Sequence, residues 1–115
     1  MYQRLYNEIA DESYQASRVR ERTLLAKGIS LLKAAETRGA GSPESFKATH
    51  FLRTLWGTFV LDLSNEDNAL PVELRASLIS IGLWVLKELD QIDAGRSTDF
   101  GAMIDVNQMI ADGLQ

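Results

Sequence analysis

His50 is the only histidine among the 115 residues, and cysteine is absent. One imidazole cannot build a recognisable metal site, nor does it pair with a serine in any specific triad pattern. The lack of cysteine excludes thiolate catalysis, disulfides and cysteine-held zinc or iron–sulfur centres. Asp99, Asp105 and Asp112 recur at spacings of six and seven, which lays them along one solvated helix face rather than in an acid–base pair. Gly39-Ala40-Gly41 lacks both a preceding strand and a following Gly-Lys-Ser/Thr, so it is not a phosphate loop. These residue types therefore point away from an enzyme and imply neither cofactor nor metal.

The remaining chemistry is charge and apolar surface. Residues 1–61 carry nine Lys/Arg against six Asp/Glu, and residues 62–115 carry three against ten, giving halves of +3 and −7 in a chain of net −4. Arg18, Arg20, Arg22, Lys27 and Lys33 form a basic run that could meet phosphates. Glu12, Glu21 and Glu36 interrupt it and no aromatic side chains interleave with it. With a pI near 4.9, the run reads as a solvated helix face, and nucleic acid is disfavoured as a partner.

The elements that position these groups are helical throughout. The stretch at about 71–93 is expected to be the central helix. Leu74, Leu78, Ile81, Val85, Leu89 and Ile92 recur at spacings of three and four. Leu78 to Leu86 is apolar on nearly every side, which implies burial all round, Trp84 included. Glu73, Arg75, Lys87, Glu88 and Asp90 hem the run in, making it too short for a membrane span. Before it, a helix from about Pro43 to Leu63 carries the stripe Leu52, Leu55, Trp56, Phe59, Val60 and Leu63, read as core. Ser13 is a suitable N-cap for a long helix ending near Arg38, and Gly39 to Pro43 separates it from the next. Tyr2, Leu5, Tyr6 and Ile9 suggest a short N-terminal helix or arm. A last helix runs from about Asp99 to Asp112. The expectation is one all-α domain over 1–115, a bundle of four main helices plus a short N-terminal one. The N-terminus has no apolar signal segment, so a cytoplasmic location is expected.

The central segment also carries a family pattern: Asn68, Leu70-Pro71, Leu74-Arg75-Ala76, Leu78-Ile79-Ser80-Ile81-Gly82 and Trp84-Val85. Met1-Tyr2-Gln3 with Tyr6, Arg53, Leu55-Trp56, Asp62-Leu63, Ile104-Asp105-Val106-Asn107 and Asp112-Gly113-Leu114 extend it over nearly the whole chain. This pattern resembles the FlaF family of alphaproteobacterial flagellar biosynthesis regulators. The resemblance implies a protein that promotes flagellin synthesis and secretion, alongside and often in opposition to a second regulator, FlbT. Some members look like flagellin-binding secretion chaperones, comparable in role to the helical chaperone FliS. The alternative is a regulator that acts on flagellin mRNA, directly or through FlbT.

A small helical domain with an apolar groove can hold a helical export segment reversibly. The expected partners are thus flagellin and an FlbT-type regulator, with self-association left open. The expected contact residues are Tyr2, Leu5 and Tyr6, whose tyrosines combine area with a polar tip, and Met103, Ile110 and Leu114 on the last helix. Met103 and Met109 are soft side chains suited to adaptable surfaces.

Overall fold

Helix ends in this chain are written in side chains and glycines. Gly39 and Gly41 take φ of +95° and +84°, a left-handed backbone that glycine adopts without strain. Ser42 Oγ then accepts a hydrogen bond from the Ser45 amide at 3.1 Å, and Pro43 opens the next helix, where its missing N–H costs nothing. A computed structural model accordingly shows helix α1, Tyr2–Arg38, turning into α2, Pro43–Ser64. The structure describes the backbone over residues 2–114 and the side chains over 16–114; the expected short N-terminal helix, the Ser13 cap and the contacts of Tyr2, Leu5 and Tyr6 fall on residues whose side chains lie outside that description.

Between α2 and α3 (Val72–Asp93) the chain turns through two Asx bonds, Asp67 N–H to Asn65 Oδ1 and Leu70 N–H to Asn68 Oδ1, as Asn favours in turns. Pro71 is the cap residue itself, its carbonyl accepting from the Arg75 amide at 2.9 Å. Arg75 donates to the Asn65 carbonyl at 3.0 Å, tying the turn to α3. Gly95, at φ +75°, ends α3, and Asp99 caps α4 (Phe100–Gly113) by accepting from the Ala102 amide.

The core takes Leu25, Leu32 and Ala35 from α1, Leu52, Leu55 and Trp56 from α2, Val85, Leu89 and Ile92 from α3, and Phe100 and Met103 from α4. Two glycines set the spacing. A Cβ on Gly28 would lie 2.6 Å from Leu52 Cδ2, and one on Gly82 would lie 2.6 Å from Val60 Cγ2, so α1 and α3 each approach α2 more closely than alanine allows. A polar clasp joins α2 to α3: Arg53 donates to Asp93 at 2.6 Å and to Asp90 at 3.1 Å, and Thr49 donates to Asp93 at 2.7 Å. The paired carboxylates hold the Arg53 guanidinium above its ordinary pKa, the hydrogen bond it donates to Asp93 contributing most.

The four-helix architecture stands, but α3 is not its centre. α2 packs against both α1 and α3, while α4 packs mainly on α1. Only Gly82, Val85, Leu89 and Ile92 of α3 are buried. The rest of its apolar surface stays partly or largely open, including Leu83 at 55%, Leu74 at 46% and Trp84 at 41% exposure. Apolarity on every side therefore does not mean burial on every side here, and Trp84 is not a core residue. His50 is exposed on α2. Among the described residues no helix is long and apolar enough to cross a membrane.

Candidate partner-binding groove

The open surface of α3 follows from helix lengths. α3 has 22 residues and α4 only 14, so α4 stops about 12 Å short at a rise of roughly 1.5 Å per residue. Leu74 and Leu78, one turn apart on α3, consequently face only the last turns of α4, across open space, among the described residues. The vacant quadrant is a cleft of about 290 Å³. Trp56, Phe59 and Leu63 of α2 line it, Leu70, Leu74 and Leu78 bound it on one side, and Met109, Ile110 and Leu114 on the other.

Its aromatic lining is held rigidly. Trp56 is 1% exposed, and its ring meets Phe59 edge-to-face at 5.5 Å and 84°, a favoured aromatic geometry. Trp56 Nε1–H donates to Asn107 Oδ1 at 2.8 Å, and Asn107 Nδ2–H donates to the Met103 carbonyl at 2.7 Å. Asn107 is fully buried; these bonds satisfy it and fix α4 against α2, as buried polar groups require.

The mouth is charged. Arg18 and Glu21 of α1, Asp62 of α2 and Asn68 of the following turn line it. Partial burial, followed by the charge of Asp62, raises the Glu21 carboxyl above its ordinary range. The bond from Ser17 Oγ at 3.5 Å and the charges of Arg18 and Arg20 oppose that shift. Asn68 Nδ2 donates to Asp62 Oδ2 at 3.2 Å.

A second hollow of about 280 Å³ lies further along the α3–α4 seam, lined by Ser80, Ile81, Trp84, Val106 and Met109. Met109 borders both hollows and is 56% exposed. Together they make an apolar strip with half-open anchors, a shape suited to an amphipathic helix. Among the described residues, no group of three or more His, Cys, Asp or Glu is placed to hold a metal.

Ile110 and Leu114 line the cleft, whereas Met103 is fully buried in the core. Its position three residues after Phe100 turns it inward, so it has no free surface to offer a partner. Leu74, Leu78 and Trp84, outside the expected contact set, also border the groove. Periodicity places them on the apolar surface of α3 but says nothing about whether a neighbour covers it.

No curated protein and no solved structure matches the chain significantly. The sequence profile of the flagellar protein FlaF matches residues 2–114, nearly the whole chain. The chain therefore belongs to the FlaF family of flagellar proteins.

Proposed function

We propose that this protein promotes flagellin synthesis and secretion by binding flagellin itself, holding a helical segment of the export substrate in the α3–α4 groove. The observation that carries this reading is the vacant quadrant beyond α4, where Leu74, Leu78, Met109 and Ile110 line an open cleft against Trp56. Exposed anchors around a rigid aromatic base favour reversible capture of an amphipathic helix. Handling flagellin before export makes the cytoplasm the natural site of action. An FlbT-type regulator is the second partner, and linking substrate capture to that regulator would couple secretion to synthesis.

Isothermal titration of the full chain with monomeric flagellin, and separately with FlbT, tests this. Saturable flagellin binding with a negative heat-capacity change, the mark of apolar burial, supports it. Binding to FlbT alone makes the protein a regulatory adaptor and removes the flagellin reading.

A further inference from the structure

The groove is apolar along its length but its edges are acidic. Glu21 and Asp62 stand at the mouth. On α3, Glu73, Ser77, Ser80 and Trp84 recur at spacings of four, three and four, so Glu73 shares a face with a groove-lining tryptophan. On α4, Asp105, Met109 and Asp112 recur likewise at four and three, placing two carboxylates beside a groove-lining methionine. Glu73, Asp105 and Asp112 are all exposed. Among the described residues, Arg18 is the one cation in the lining of the cleft. Of the three cations after residue 61, Arg75 is turned to the Asn65 carbonyl and Arg96 to Gln91. Lys87, exposed three residues after Trp84, continues that face past the second hollow, so the acidic end of the α3 edge is the one at Glu73, beside the cleft.

We propose that the occupant of this groove is a cationic amphipathic helix that takes the quadrant left by α4, its apolar face on Leu74, Leu78, Trp84 and Met109 and its Lys or Arg residues over the acidic edges. This deepens the flagellin-binding reading and rests on it, naming the kind of segment captured. Apolar anchors supply burial, while complementary edge charges set orientation and reject anionic helices. Each exposed ion pair changes affinity by about 1.4- to 5-fold, so several of them acting together discriminate roughly tenfold or more.

Two labelled helical peptides of about 14 residues test the assignment; that length spans the vacant turns and the seam beyond them. Both carry leucines at the same i, i+3, i+4 and i+7 positions; one has lysines at its polar flanks and the other glutamates. Fluorescence anisotropy with the full chain should show the lysine peptide binding about tenfold tighter or better at low salt, with the gap narrowing as salt screens the edges. Glu73→Lys with Asp112→Lys should abolish the preference, and Glu73→Gln with Asp112→Asn should halve it on a logarithmic scale, both with far-UV circular dichroism unchanged. Equal affinity for the two peptides, no binding of either, or a preference that the variants leave untouched overturns the inference. So does a dimer, seen by sedimentation, that excludes the lysine peptide, because a second copy would then be the occupant. Flagellin titrated in parallel separates the two readings. If flagellin binds while the peptides are not discriminated, only this inference falls. If the lysine peptide binds while flagellin neither binds nor displaces it, the flagellin reading falls and the groove's charge preference stands.

Discussion

Trp56 and Trp84 occupy the same bundle at 1% and 41% exposure, and replacing each by alanine separates folding from binding. A buried tryptophan hides about 200 Å², which at roughly 25 cal/mol per Å² is about 4 to 5 kcal/mol. Trp56→Ala should therefore lie at the upper end of the roughly 3–5 kcal/mol seen for buried aromatics, the more so because Asn107 Oδ1 loses its donor. For Trp84 roughly three-fifths of that surface is covered. Its outer edge is open, so no closed cavity forms, and a compact denatured chain reduces the loss further; about 2 kcal/mol is expected. Against a domain stability of about 5–15 kcal/mol, Trp56→Ala should lose a third or more of the stability, and nearly all of it at the low end of that range. Trp84→Ala should remain folded, with a midpoint lower by about 8 °C, taking roughly 4 °C per kcal/mol at this size. A tryptophan anchor at a binding surface contributes about 2 kcal/mol or more, so Trp84→Ala should weaken groove binding about 30-fold. Urea unfolding followed by titration with flagellin reads both quantities. If Trp84→Ala is as destabilising as Trp56→Ala, Trp84 belongs to the core. If it binds normally, the groove lies elsewhere.

Asn107→Leu removes the acceptor of the Trp56 indole N–H within a sealed site, and should cost about 1–3 kcal/mol, the penalty for a buried donor left unpaired; in a double-mutant cycle with Trp56→Phe the two changes should not add. Arg53→Ala breaks the clasp to Asp90 and Asp93 and leaves two neighbouring carboxylates unopposed, for a loss of about 1 kcal/mol that shrinks in high salt. Glu21 has a folded-state pKa above its unfolded value. Its stabilising contribution is thus fully present below the unfolded pKa and is lost as pH rises through the folded one. Glu21→Gln should accordingly raise the thermal midpoint at neutral pH, and the gain should fade as pH falls below the ordinary glutamate range, where the glutamate is itself protonated. A gain that is the same in both pH ranges would assign it to packing rather than ionisation.

The helices and their ends were legible because each rests on local chemistry. Ser42-Pro43, Gly95 and Asp99 act within one turn of where they stand, and the stripe from Leu52 to Leu63 needs only helical spacing to define a face. The position of α3 depends on what faces it, and that is decided elsewhere. Its 22 residues are apolar enough for a central helix, yet α4, at 14 residues, is too short to cover them. The misplacement of Trp84 and of Met103 has this one source. Trp84 borders a half-open seam with Val106 and Met109, and Met103 follows Phe100 by three residues into the interior. Periodicity gives a residue's angle around its own helix, and exposure is a property of the neighbours.

That distinction bears on how the groove is kept available. A helical bundle normally closes an apolar quadrant with its own chain, because exposed apolar patches invite association. Among the described residues the quadrant stays open because the elements around it are fixed without it. The Arg53–Asp93–Thr49 clasp and the Gly82 approach hold α3 to α2, and the Trp56–Asn107 bond holds α4 across from them. None of these contacts requires Leu74, Trp84 or Met109 to be covered. A helix bound there, as proposed, would meet a surface already shaped and spend little of its interaction energy on ordering it, the main advantage of preorganisation. In the proposed reading the acidic edges would serve the same end from outside, by opposing the approach of a like-charged second copy across the seam.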